Sequence, residues 1–250
     1  MQLLAEPVFA AFAIFCRVGC CLMLLPGFGS ARVPAQMRLL VAVAISLALT
    51  PLLLAQTVAA IRHFAPGLRP FLLLNEVVTG GAFGLMARCF LLALQFAATL
   101  AANAIGLAGI PGQPIDDTDA APVLTTFLSL AATMLLLAAG LHIEMLKAVI
   151  ASYDVLPMRI GIDAGWMLDR LARAVEDTAL LSLRLAAPFI VYAIVVNVAI
   201  GLDNKFTPQL SVYFASLGLV TAGGLFILLF IADDWLSLFV TSYSSWIGGA

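Results

Sequence analysis

Polar side chains that stand out inside otherwise apolar runs include Arg17, Glu76, Arg88, His142, Glu144, Lys147, Arg184 and Asn197. Carboxylates, a histidine and cations are what general acid–base or metal chemistry would require. Their spacing supports neither. His142 and Glu144 lie two apart, and no HExxH, GxSxG, phosphate-binding loop or GxGxxG occurs in the chain. The stretch DDTD at 116–119 opens like a calcium loop but lacks the glycine at the sixth position and the closing glutamate. Cys16 and Cys20 share a helix face, yet with no CxxC pair or nearby histidine they read as small buried hydrophobes. No metal, cofactor or catalytic constellation is therefore expected. What remains is the chemistry of charge in a poor solvent: ionisable groups at membrane depth are costly and face protein or water.

The composition supplies that solvent. Of 250 residues, 63% are hydrophobic and only 10% charged, with a mean hydropathy of +1.11, against roughly 45–50% apolar and 25% charged in soluble domains. The chain reads as one membrane-embedded unit over residues 1–250. It is all-α, because a helix satisfies its backbone groups internally where water is absent. The net charge of −2 offers nothing to nucleic acid. The opening MQLLAEPVFAAFAIFC lacks a basic leader and a small-residue cleavage site, so it reads as a retained first span.

The elements that must position the polar groups follow from the apolar runs, since a span needs about 20 such residues. Six runs qualify: Pro7–Leu25, Leu39–Ile61 with a kink expected at Pro51, Phe71–Leu107, Val123–Ile150, Thr178–Ile200 and Leu210–Val240. At about 1.5 Å per residue the third covers roughly 55 Å, well beyond a ~30 Å hydrocarbon core. It must kink, tilt or leave the bilayer, and the sixth is overlong as well. The expected fold is a polytopic membrane protein of about six kinked, partly overlong hydrophobic helices. Between the fourth and fifth runs, Leu168, Leu171, Ala172 and Val175 recur at helical spacing opposite Asp169, Arg170, Arg173, Glu176 and Asp177. That piece predicts an amphipathic helix on a surface.

At 100° per residue, Gly81, Gly84, Arg88, Gln95, Thr99, Asn103 and Gly106 fall within about 100° of one another on the third helix, with Phe83 and Phe90 opposite. This small, polar stripe has two readings. It packs closely against other helices, as small residues allow, or it lines an aqueous or protein-filled passage. Arg17, Glu76, Arg88 and Arg184 are expected to form ion pairs between helices or subunits, and Asn197 a further polar contact.

The stripe runs into GIPGQPIDDTDAAP at 109–122. Pro111, Pro114 and Pro122 forbid helix continuation, Gly109 and Gly112 permit tight turns, and Asp116, Asp117 and Asp119 require water or donors. By residue type alone an ordinary solvent-facing connector is the favoured account. A short loop with little apolar anchoring could instead close a passage and swing aside.

Several segments carry a resemblance. VNVAIGLDNKFTPQLSVYF, residues 196–214, closely resembles the late segment of the FliR family of flagellar biosynthesis proteins through Asn197, Gly201, Leu202, Asn204, Lys205, Pro208, Gln209, Val212 and Phe214, with Asp203 and Ser211 as departures. CRVGCCLMLLPGFGSARVPAQMR resembles the family's opening through Arg17, Pro26, Gly29, Ser30, Val33, Pro34 and Arg38. NEVVTGGAFGLMARC resembles its third helix through Glu76, Gly80, Gly84 and Arg88. Gly140, His142, Ser152 and Pro157 match its fourth helix, and Arg184, Ala187 and Pro188 its fifth. The matches run in order along almost the whole chain.

The resemblance implies a non-enzymatic core subunit of the flagellar type III export gate, in the bacterial inner membrane at the flagellar basal body, its helices arranged as tilted hairpins. Its implied partners are FliP and FliQ homologues in the same passage, FlhB and FlhA homologues at the cytoplasmic side, unfolded flagellar export substrates and membrane lipid. In this family the loop after the third helix plugs the passage at rest; the matching residues are Gly109, Ile110, Pro111, Gly112, Gln113, Pro114, Ile115 and Asp116, with Ile110 and Ile115 as apolar tips. Asn204, Lys205, Pro208 and Gln209 correspond to a turn at the gate entrance. The family has a counterpart in virulence injectisomes. A small-molecule or ion transporter is the competing class; it predicts matching broken helices in two halves, and the glycines at 80, 81 and 84 do not share a context with those at 218, 223 and 224.

Overall fold

The computed structural model describes residues 2–30, 33–107, 123–158, 161, 164–206 and 212–249, which are helical with short connections and contain no strand. Seven helices follow one another: α1 (Gln2–Leu24), α2 (Ala35–Arg62), α3 (Arg69–Ala104), α4 (Val123–Ala138), α5 (Leu141–Val155), α6 (Ala164–Phe206) and α7 (Val212–Gly249), with one 3₁₀ turn at Pro66–Leu68 before α3. Five are long and apolar enough to cross a membrane, and α4 with α5 forms a sixth such run bent by 66°. This is the polytopic all-α membrane fold that the composition predicts.

The differences lie in where helices break. The fourth run is not one helix: Gly140 adopts φ 71°, a left-handed conformation that glycine takes at little cost, and the chain turns there between α4 and α5. Pro51 does not break α2, which is helical from Ala35 to Arg62. The amphipathic piece and the fifth run join in the 43-residue α6, about 65 Å at 1.5 Å per residue. Its apolar face is not the one expected: Leu168 and Val175 are exposed, and the buried line is Ala174, Thr178, Leu181 and Leu185.

The chain divides into two compact units. One comprises Met1–Cys89, Leu136–Glu176 and Tyr243–Ala250; the other comprises Phe90–Leu135 and Asp177–Ser242. In the first, α1 packs against α2 and α5. Its buried face, Ala10, Ala13, Ile14, Arg17, Val18 and Cys21, repeats every three to four residues as a helix stripe must, and Arg17 belongs to it. In the second unit, Trp235 of α7 donates from Nε1 to the Leu185 carbonyl of α6 at 2.7 Å, and its ring meets Phe189 edge-on. Tyr192 Oη donates to the Val220 carbonyl at 2.6 Å. Gly223 makes room for that hydroxyl, which a Cβ would approach to 2.7 Å.

Burial is uneven. Half of the most apolar stretch of α1 is buried, against 6% for α7. A helix this apolar and so little covered needs lipid or another chain around it.

Candidate functional site

The site in which this chain joins its polar residues is centred on Arg17. Its side chain is wholly buried, as is that of Glu76. Nε donates to Glu76 Oε2 at 2.7 Å and Nη2 to Oε1 at 2.8 Å, the two-pronged geometry in which a planar guanidinium matches a carboxylate. Nη1 donates to Ser152 Oγ at 3.2 Å, and Nη2 also donates to the Leu156 carbonyl at 3.0 Å. The Tyr153 ring lies 3.9 Å from the guanidinium carbon, where its π-face attracts the cation. A buried charge is tolerated when paired and hydrogen-bonded. Here α1 supplies the cation, α3 the anion, and the end of α5 the remaining acceptors and the ring.

Two glycines set the distance between the helices. A Cβ at Gly80 would collide with the carbonyl oxygen of Arg17, and one at Gly84 would stand 2.7 Å from that of Cys21. Glu76, Gly80 and Gly84 are spaced by four, so the carboxylate and both gaps share one side of α3. Gly80-x-x-x-Gly84 is the small-residue spacing that lets membrane helices approach backbone to backbone.

The expected stripe is shared among several neighbours. Gly84 packs on α1, whereas Gly81 has nothing within 4 Å of its Cβ position. Arg88 and Asn103 are exposed; Gln95 and Thr99 are half-buried. The Thr99 hydroxyl lies 3.2 Å from that of Thr125, tying α3 to α4. Gly106, at φ 76°, closes α3: Leu107 N–H reaches the Ala102 carbonyl at 2.9 Å and Gly106 N–H the Asn103 carbonyl at 3.2 Å. This left-handed glycine cap ends the helix. Asn103 and Gly106 also line a groove of about 400 Å³ with Asn197, Ser216 and Leu217 in the second unit.

Other expected residues fall apart. Arg88 and Arg184 are exposed, and neither pairs with another described residue. Asn197 donates into its own helix, to the Ala193 carbonyl at 2.8 Å. Asn204 and Lys205 do not form a turn; they occupy the last, exposed turn of α6. Residues 109–116, Pro208 and Gln209 lie outside the described residues. Sequence reading overlooked Ser152 and Tyr153 as partners of Arg17, and Asp233 and Asp234, exposed midway along α7. The aspartates carried a signal, two charges inside an apolar run; Ser152 stood among the residues of the resemblance, but nothing tied it or Tyr153 to Arg17.

Residues 8–245 match the family described as bacterial export proteins, family 1. The chain belongs to that family. Similar chains are flagellar biosynthetic proteins FliR: that of Caulobacter vibrioides is 29% identical over 224 residues, 90% of this chain and 88% of its own. That of Aquifex aeolicus is 27% identical over 215 residues, 85% and 81% of the two chains, and that of Escherichia coli 26% over 203 residues, 80% and 75%. This member of the bacterial export family is a membrane-located component of the flagellar protein export apparatus.

Proposed function

We propose that this chain is a core subunit of the flagellar export gate, embedded in the inner membrane at the basal body. It would form the passage for unfolded flagellar proteins with FliP and FliQ homologues, over FlhB and FlhA homologues, and would act by shape rather than by catalysis. The observation that carries the reading is the in-order family match over residues 8–245. The geometry supports it: long apolar helices, of which α2, α6 and α7 are largely uncovered, together with Arg88 and Arg184 exposed and unpaired among the described residues, suit a subunit completed by neighbours. In this reading the loop at 108–122 is the resting plug, held at one end by the Gly106 cap, and Asn204, Lys205, Pro208 and Gln209 sit at the entrance.

The first test is purification of the tagged full-length chain from its own membranes in mild detergent, with the co-purifying chains identified by mass spectrometry. Recovery of FliP and FliQ homologues in a stable complex is expected. Recovery of the chain alone, or only with copies of itself, would overturn the gate reading. In the same complex, deletion of Gly109–Asp119 is expected to raise ion conductance, and unchanged conductance with normal assembly would remove the plug.

A further inference from the structure

One side of α5 gathers a charged pair and two small residues. Leu141, Glu144, Ala148, Ala151 and Val155 fall within about 80° of one another at 100° per residue, with Lys147 at the edge of that stripe. The stripe borders a groove of about 390 Å³, to which α3 adds Phe83, α6 adds Trp166, and α7 adds Ser244 and Ile247. All of these residues belong to the first unit.

Charge and hydrocarbon are separated along the groove. Glu144 and Lys147 stand near the start of α5, paired at 2.7 Å, with 51% and 64% of their side chains exposed. An ammonium has three N–H donors and a carboxylate about four acceptor positions, so this single contact leaves both with capacity to spare. Further along, the polar groups are already engaged. Ser152 Oγ donates to the Val149 carbonyl at 2.5 Å and accepts from Arg17, and the Leu156 carbonyl accepts from Arg17 as well. Trp166 lies under the Arg170 guanidinium, and Ser244 has an interaction of its own. Ala148, Ala151, Val155 and Ile247 make the remaining wall apolar.

The dimensions limit the occupant. From Leu141 to Leu156 the groove follows about 22 Å of helix, so its 390 Å³ amounts to a mean cross-section of roughly 18 Å². A helix about 10 Å across needs about 80 Å². A second helix does not fit within the groove, whereas one hydrocarbon chain does. The head of such a chain meets a cation and an anion side by side. A phosphate suits Lys147, and a primary ammonium suits Glu144, because each is a charge-assisted hydrogen bond. A head bearing only negative charge would repel Glu144, and a quaternary ammonium has no N–H to give it.

We infer that this groove binds a zwitterionic phospholipid of the phosphatidylethanolamine class, with one acyl chain lying along Ala148 and Ala151, its phosphate on Lys147 and its ammonium on Glu144. The site stands independently of the gate reading.

The test uses the full-length chain in phosphatidylcholine vesicles. These contain a trace of phosphatidylethanolamine, phosphatidylcholine or phosphatidylglycerol, each bearing the same photoreactive acyl chain, and adducts are located by mass spectrometry. The phosphatidylethanolamine probe is expected to label α5 and the end of α7 about tenfold more than the other two, one decade of affinity. Glu144→Gln should remove that preference, and Lys147→Gln should lower the labelling about tenfold. Ala151→Phe should block the chain and reduce groove labelling to the level of the other helices. All three positions are exposed, so the substitutions leave the packing of α5 on α1 intact. Equal labelling by the three probes, labelling spread evenly over the exposed helices, or a groove adduct that survives Ala151→Phe would overturn the site. So would a photoreactive residue at position 151 that joins only polypeptide, and no lipid, in the protein's own membranes. Failure to recover FliP or FliQ homologues would count against the gate reading and leave the lipid site standing.

Discussion

Arg17 and Arg88 are the same residue type in helices of membrane length, within the same compact unit, and they meet opposite fates. Arg17 is wholly buried, with a two-pronged carboxylate, a hydroxyl, a backbone carbonyl and an aromatic face around it. Arg88, three turns beyond the anion that satisfies Arg17, is exposed and has no partner among the described residues. Gly80 and Gly81 repeat the contrast at backbone level. One is pressed against the Arg17 carbonyl and the other opens onto empty space. The lesson is that α3 has an inner side completed within the chain and an outer side left for something else. A polar residue in an apolar run is a structural clamp on the first side, and on the second it meets no partner among the described residues.

The largest effect should come from breaking the clamp. Glu76→Ala strands a buried guanidinium and is expected to cost about 3–5 kcal/mol, read as a large fall in the unfolding temperature of the detergent-solubilised protein. Arg17→Met combined with Glu76→Leu removes both charges and should recover much of that loss. Equal unfolding of Glu76→Ala and parent would mean that the pair does not hold the helices together. The next effect sharpens the glycine contrast. Gly80→Ala forces α3 away from α1 and should cost roughly 1–3 kcal/mol, as overpacking does. Gly81→Ala should stay within about 0.5 kcal/mol of parent; similar penalties at the two positions would refute the inner and outer assignment. The smallest effect belongs to Arg88. Arg88→Gln should leave the unfolding of the isolated chain within about 0.5 kcal/mol of parent while weakening its association with neighbours. A marked loss of stability in the isolated chain would place Arg88 with Arg17 as a clamp.

Much of this was legible in residue order, though not evenly. The run from Phe71 revealed an overlong helix because apolar residues and length suffice for that inference, and α3 is 36 residues long. Glu76 and Arg17 were legible as members of ion pairs, but not as each other's partner. The bend at Gly140 was not legible, since one glycine in an apolar run is as compatible with a tolerated helix interior as with a break. Pro51 lies inside an α2 that continues from Ala35 to Arg62, as a membrane helix can accommodate a proline when neighbouring groups take up the freed backbone acceptor.

The sequence by itself determined the solvent, the helical class, the family and the set of side chains that could not be left unpaired in lipid. Composition and order carry these, and neither depends on which helix lies beside which. Only the tertiary structure decided that Arg17 closes on a carboxylate 59 residues away and a hydroxyl 135 residues away, and that Arg88 closes on nothing described. Helical periodicity fixes which residues share a face, but the neighbour that face meets depends on helix rotation and approach distance. In this chain those are set by backbone contact at Gly80 and Gly84, where the side chain is absent.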